Sequence, residues 1–190
     1  MYADLSNFSM GNLDVNLYAV WITPYTIGDI GPAGGIVFYD NGYFLDGWRH
    51  LEAAPFETEI YALWVPDWYS WYEVIGSNGA SVGSGKYNTQ IIVNFLNEIG
   101  QFGSEYAAQY CANMDFNGFN DWFLPSFEEL WLMCENIHLN ALGDFQLDWY
   151  WSSTDHSHSV FSVCVYDYYI WWYYYDKYNS MNFVRAVRSF

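Results

Sequence analysis

A run of tyrosine and tryptophan near the C-terminus constrains this chain more than any other feature. From position 168 to 178 the sequence reads Tyr-Tyr-Ile-Trp-Trp-Tyr-Tyr-Tyr-Asp-Lys-Tyr. Successive side chains of a β-strand point to opposite faces, so about half of such a run must face away from a core. Exposed tyrosine and tryptophan give a large contact area at a small cost in conformational entropy. The run therefore predicts a recognition surface at this end of the chain.

Composition and charge limit the classes of function. The 190 residues fit one domain, and 53% of them are hydrophobic, which is ample for a core. Only 5 Lys and Arg oppose 22 Asp and Glu, so the net charge is -17. Nucleic acid and anionic membranes repel such a chain, which excludes nucleic acid as a main partner. No apolar run is long enough to span a membrane, and residues 1–4 lack signal-peptide character, so we expect any export leader to lie outside this sequence.

The three cysteines cannot form a full disulfide framework, because their number is odd. Cys111 and Cys134 fall in expected helices, where a buried free thiol is the ordinary state. Cys164 stands alone in the C-terminal segment.

The N-terminal part of the chain carries strand and turn signals. Residues 1–30 are interpreted as an N-terminal extension or strand. Residues 35–40 predict a short buried strand, Asn41-Gly42 a hairpin turn, and residues 48–54 the return strand. Residues 55–88 set aromatic residues between turn residues and predict a long structured loop.

Three helices are predicted in the middle of the chain. Asn88 is the expected cap of the first, which ends at Gly100, and Ser104 the cap of the second. In the third, Ser126 and Glu129 form the pattern of a capping box. One stripe of this third helix is expected to face the core: Phe127, Leu130, Trp131 and Cys134.

After Gly143 the sequence returns to strand character. Strands first, helices in the middle and strands last predict an α+β fold in which the first and last strands can pair. We therefore expect residues 35–40 and 184–190 to be neighbouring antiparallel strands.

Several phrases of the sequence occur together in one family. The most distinctive, Gly-Phe-Asn-Asp-Trp-Phe-Leu-Pro-Ser at residues 118–126, resembles a phrase of bacterial C-type-lectin-fold domains related to formylglycine-generating enzymes. The other phrases are residues 27–39, 47–55, 150–153 and 184–188. In this combination the chain resembles the variable proteins of diversity-generating retroelements, of the TvpA type.

The resemblance implies a C-type lectin fold, with mixed and antiparallel β-sheets and helices inserted between the N-terminal and C-terminal strands. It implies a single C-type-lectin-like domain over residues 1–190, whose variable region, residues 150–190, displays a ligand site. Diversification at the adenines of asparagine codons reaches every residue type except Lys, Gln, Glu, Met and Trp, which sets Trp171, Trp172 and Lys177 apart from their neighbours. It further implies a monomer on the bacterial cell surface, lipid-anchored through a leader, with a protein or surface molecule as ligand.

The expected site is a hypervariable, aromatic-rich surface without catalytic residues, metal or cofactor. The apolar side chains at positions 161, 163 and 165 share one strand face, so Ser162 and Cys164 point to the other. Lys177 is expected to anchor a nearby carboxylate. The expected ligand-binding residues are His156, Ser157, His158, Ser162, Cys164, Tyr168, Tyr173, Tyr174, Tyr175, Asp176, Tyr178 and Asn179.

Other chemistries have weaker signals. Asp155, His156 and His158 could ligate a metal, but exposed recognition histidines are the favoured interpretation. The oxygen-rich segment 115–121 is assigned to loop-ordering hydrogen bonds rather than to a cation. Residues 83–86 have neither the glycine spacing nor the Ser/Thr of a phosphate-binding loop. The loop motif of calcium-dependent sugar-binding lectins is also absent.

Two alternative functions stay open beside the binding protein. An oxidase of the formylglycine-generating type would need a reactive cysteine pair. A structural or adhesive surface domain would use the aromatic run as a permanent protein interface.

Six further residues are assigned structural roles. Arg185 and Arg188 are expected to pair with acidic side chains or aromatic faces. Four large aromatic residues are expected in the core: Trp122, Trp131, Trp151 and Phe161.

Overall fold

The fold is α+β, as the order of predicted elements indicates. The computed structural model describes residues 25–103 and 105–190, which form two β-sheets and three α-helices. The interpretation of residues 1–24 and the predicted cap at Ser104 lie outside the described residues. Within the described ranges, no helix combines the length and the apolarity needed to cross a bilayer.

The helices lie between the first and last strands along the chain. The elements are β1 (Ile36–Leu45), β2 (Trp48–Ala53), β3 (Ile60–Leu63), α1 (Gly85–Glu98), α2 (Ala107–Asn113), α3 (Phe127–Met133), β4 (Trp149–His156), β5 (Ser159–Val165), β6 (Ile170–Asp176), β7 (Met181–Val184) and β8 (Val187–Ser189). A π-helical turn, Cys134–His138, continues α3. The strand orders are β1-β2-β8 in one sheet and β3-β7-β4-β5-β6 in the other.

The N-terminal hairpin turns later than predicted. β1 runs through Asn41 and Gly42, where its register with β2 shifts, and the chain reverses at Asp46 and Gly47. Both turn residues have positive φ, 50° and 86°, the conformation that an Asp-Gly hairpin turn requires. The predicted turn at Asn41-Gly42 is therefore wrong, although the return strand is where it was expected.

The pairing predicted for the first and last strands is also wrong. β8 pairs antiparallel with β2, on the side of β2 that faces away from β1. Residues 181–184 belong to the other sheet, where β7 pairs with β3 and touches β4 in parallel. The C-terminal segment thus passes from one sheet to the other.

The third helix begins as predicted. Ser126 Oγ accepts a hydrogen bond from the Glu129 amide at 3.4 Å, and the Ser126 amide donates to the Glu129 carboxylate at 2.7 Å. This confirms the capping box. The predicted stripe is buried in part: Leu130 and Cys134 are fully buried, whereas Phe127 and Trp131 are partly buried and pack against the same core cluster.

The first helix begins before its predicted cap. α1 starts at Gly85, and Asn88 is buried within its first turn. Asn88 Nδ2 donates to the carbonyl of Gly79 at 2.6 Å, so this side chain fixes the preceding loop instead of capping the helix. The predicted end is correct, since Ile99 terminates α1 and Gly100 follows with a φ of 80°.

The five-stranded sheet has buried side chains on both faces. Tyr150 and Trp151 are neighbours in β4, point to opposite faces and are both fully buried. Trp151 packs in the cluster that includes Ile92 of α1, whereas Tyr150 packs in the cluster that includes Leu130 of α3. Trp122 is buried as well, so the predictions of core positions for it and for Trp151 are confirmed.

The two C-terminal arginines have the structural roles predicted for them. Arg188 donates to Glu52 and to Asp121, both at 2.7 Å, and its guanidinium lies 4.3 Å from the ring centroid of Phe119. Arg185 lies 3.5 Å from the Glu59 carboxylate. These pairs join the C-terminal segment to the N-terminal hairpin, to the residue that precedes β3 and to the loop before α3.

Candidate functional site

Many of the exposed aromatic residues lie along one strand and in the turns at its ends. Tyr168 is 91% exposed in the turn before β6, Trp171 is 61% exposed within β6, and Tyr178 is 52% exposed after it. Three aromatic side chains of residues 67–72 are also exposed. We call the following set the aromatic surface: Trp68, Trp71, Tyr72, Tyr168, Tyr169, Trp171, Trp172, Tyr173, Tyr174 and Tyr178.

The position of β6 in the sheet explains why both of its faces carry exposed rings. β6 is an edge strand and pairs only with β5 among the described strands, through seven consecutive residue pairs without a register shift. The strand contains no Pro, and its single charged residue is Asp176. It therefore lacks the bulges, prolines and lysines that commonly protect a sheet edge.

A buried ion pair fixes the end of this strand. Lys177 Nζ lies 2.9 Å from Asp155 Oδ1, and both side chains are fully buried. Lys177 also donates to the carbonyl of Tyr72 at 2.8 Å and lies 4.9 Å from the ring centroid of Trp64. Asp155 accepts a second hydrogen bond, from the amide of Val74 at 2.6 Å. The predicted pairing of Lys177 with a carboxylate is confirmed.

The electrostatics of this pair are those of two desolvated charges. Burial raises the pKa of Asp155, and Lys177 opposes that rise. Burial likewise lowers the pKa of Lys177, and Asp155 opposes that fall. Each partner therefore maintains the charge of the other in an apolar environment.

Residues 67–72 extend the aromatic surface beyond the C-terminal segment. The rings of Trp71 and Tyr178 lie 5.9 Å apart, and the amide of Asn179 donates to Asp67 at 2.8 Å. Sequence reasoning missed Trp68, Trp71 and Tyr72, although aromatic residues between turn residues were a signal for them. It also omitted Trp171 and Trp172, because the codon set implied by the resemblance excludes tryptophan.

Most of the predicted ligand-binding residues are on the surface. Tyr175 is half-buried. The exposed members of the predicted set are His156, Ser157, His158, Tyr168, Tyr173, Tyr174, Asp176, Tyr178 and Asn179.

Ser162 and Cys164 are corrections to the predicted site, because both are buried. Both side chains lie on the opposite face from Val163, as strand alternation predicts. That face is covered as well, because β5 lies between β4 and β6 in the interior of the sheet. Ser162 lies between Trp151 and Tyr173 in the register of the sheet, and Cys164 lies between Trp149 and Trp171. Directly opposite residues share a face, so these large neighbours cover the two small side chains.

A groove lies beside the aromatic surface, between α3 and β6. It has a volume of about 470 Å³. Phe127 and Trp172 form part of its wall, with ring centroids 5.7 Å apart. Trp131 and Phe161 were predicted to lie in the core, and both are only half-buried. Trp131 packs against the core cluster and also lines this groove, and Phe161 contacts Trp172. We call it the α3 groove; its lining residues are Phe127, Glu128, Trp131, Leu132, Glu135 and Trp172.

The weaker chemical signals do not converge on a site in the described residues. Asp155 points inward to Lys177, whereas His156 packs on Tyr174 with ring centroids 4.4 Å apart. Across the described ranges no group of three His, Cys, Asp or Glu side chains could hold a metal ion. The amide of Gly83, in the segment compared with a phosphate loop, donates to the buried Glu129 carboxylate at 2.7 Å.

The three cysteines are free and buried. Burial raises the pKa of the Cys111, Cys134 and Cys164 thiols. They are therefore protonated at neutral pH and shielded from solvent, as predicted for Cys111 and Cys134.

Comparison with known proteins shows a similarity of fold to a solved structure. No protein-family model and no curated protein matches the chain. The structure is similar to the crystal structure of a fimbrial protein from Bacteroides ovatus, with a TM-score of 0.55 and 13% sequence identity. The match covers 82% of this chain and 44% of that protein, so this chain spans less than half the length of its structural neighbour.

Proposed function

We propose that this protein is a receptor-like binding protein whose aromatic surface recognises a protein or another surface molecule. The observation that carries the proposal is the row of exposed tryptophan and tyrosine side chains on β6, continued by Trp71 through its contact with Tyr178. Exposed aromatic residues on a rigid element are typical of binding surfaces. The buried pair of Lys177 and Asp155 anchors the chain immediately after this strand.

A finer part of the proposal is that the domain has a C-type lectin fold and is the variable protein of a diversity-generating retroelement. The sequence phrases support it, and so does the exposure of most residues in the expected variable positions. From the same resemblance we propose that the protein is a lipid-anchored monomer on the bacterial cell surface. A reverse-transcriptase gene and a near-copy of the DNA encoding residues 150–190 should lie next to this gene. A complete genomic neighbourhood without either would refute this part.

The binding function is tested by selecting peptides from a random display library on the immobilised protein. The comparison variant replaces Trp171, Tyr173 and Tyr178 by threonine, which retains β-propensity while removing the rings. Peptides enriched on the native protein should lose binding to the variant, and the melting temperatures of the two proteins should be similar. The proposal fails if no peptide is enriched, or if enriched peptides bind the variant equally well.

A structural or adhesive surface domain is the second candidate. It is supported by the likeness of fold to a protein described as fimbrial. In that case copies of the chain would cover the aromatic surface permanently, so size-exclusion chromatography should show a stable oligomer that the threonine variant disrupts.

A further inference from the structure

We infer that the α3 groove receives an arginine side chain from a partner protein. The inference rests on the proposed function, since it assigns a ligand chemistry to one part of the same surface. In this groove, apolar side chains lie next to two carboxylates. Phe127, Trp131 and Trp172 supply aromatic rings, and Glu128 and Glu135 supply the negative charge.

The two carboxylates are available to a ligand. Glu128 and Glu135 are both exposed. Glu128 accepts one long hydrogen bond, from the amide of Val82 at 3.3 Å. The Glu135 carboxylate has no hydrogen-bond or ion-pair partner among the residues that the structure describes. A cation that enters the groove therefore displaces no existing ion pair.

Among the residues that the structure describes, no lysine or arginine enters this groove. Lys177, Arg185 and Arg188 are buried in the interior, and Arg49 is paired with Asp40 at 2.6 Å. The remaining basic residue, Lys86, is on α1 and does not line the groove. With a net charge of -17, the protein attracts a basic partner. In the groove, carboxylates and aromatic side chains lie side by side.

Arginine fits these features better than lysine does. A guanidinium is planar, stacks on aromatic faces and binds carboxylates with two parallel hydrogen bonds. A lysine ammonium is compact and more strongly hydrated, so it gains less from the flat ring of Trp172. The groove opens beside β6, whose outer edge is unpaired among the described strands, and an extended segment of a partner can lie there.

The test is a binding titration with a labelled peptide that alternates threonine and arginine, compared with the same peptide carrying citrulline. Citrulline retains the shape of arginine and removes its charge. We expect the arginine peptide to bind the native protein about tenfold more tightly or better. The double variant Glu128→Gln and Glu135→Gln should lose a similar factor, and Trp172→Thr should also weaken binding.

A matched charge control separates the groove from the general acidity of the protein. Glu98→Gln with Glu105→Gln removes the same charge from exposed positions on α1 and just before α2. At about 0.15 M salt, distant charges are largely screened, so this control should weaken binding by less than about threefold.

Equal losses in the two double variants would overturn the inference, and so would equal binding of the citrulline peptide. If the arginine peptide fails to bind while library peptides still depend on the aromatic surface, arginine recognition is wrong and the binding function stands. If neither binds, the proposed function fails with it.

Discussion

Replacement of Lys177 by methionine tests how the aromatic surface is supported. Methionine retains most of the buried stem and removes the ammonium. The Asp155 carboxylate would then be buried with only the amide of Val74 as a donor, because its bond to Lys177 is lost. Breaking a buried ion pair from one side typically costs about 3–5 kcal/mol. For a chain of this length, that corresponds to a fall in melting temperature of roughly 6–20 °C.

The pH dependence and a double variant identify the cause of that loss. Without Lys177, the folded-state pKa of Asp155 rises further, so the penalty should grow as the pH rises and shrink at about pH 4, near the carboxyl's ordinary range. Adding Asp155→Asn removes the unpaired charge and retains an acceptor for Val74. The double variant should therefore be more stable than Lys177→Met alone, and the cycle should give a coupling energy of about 0.5–3 kcal/mol.

Thermal melts and urea unfolding, followed by circular dichroism, measure these effects. Lys86→Met is the control, because this lysine is exposed and its loss should change stability by no more than about 0.5 kcal/mol. A Lys177→Met variant as stable as Lys86→Met would contradict a stabilising role of the buried ion pair. A double variant that recovers no stability would contradict it as well.

Three further predictions concern the scaffold. Trp151→Ala should lower the free energy of unfolding by about 3–5 kcal/mol, because the side chain is fully buried. Tyr173→Ser should lower it by about 1 kcal/mol or less in the same thermal melts. Equal losses would mean that the tyrosine is a core residue. Ser126→Ala should cost roughly 1 kcal/mol through loss of the helix cap, and an unchanged urea midpoint would contradict this. Burial raises the pKa of Glu59 and Glu129 from 4.5 to about 7, so the folded protein binds more protons than the unfolded chain between these values. The free energy of unfolding should therefore fall as the pH rises from about 5 to 8. A melting temperature that increases over this range would contradict the raised pKa values of the two carboxyls.

Sequence alone predicted the features that depend on near neighbours. The capping box of α3 involves Ser126 and Glu129, which are three residues apart, so the sequence pattern alone identifies it. Strand alternation, which is equally local, predicts that about half of the tyrosine run is exposed, whereas the exposure of both faces follows from the edge position of β6. The need of Lys177 for a carboxylate follows from charge, because a lysine among aromatic residues is costly without a partner.

Only the tertiary structure decided which neighbours the strands and helices have. Ser162 is buried because β5 lies between β4 and β6, and strand alternation cannot reveal that both faces of a strand are covered. Trp131 and Trp172 come together in the α3 groove although they belong to a helix and a distant strand. The identity of Asp155 as the partner of Lys177 likewise depended on the β4–β5 hairpin. Contacts of this kind join residues far apart in the chain, so the packing of whole elements determines them and local preferences do not.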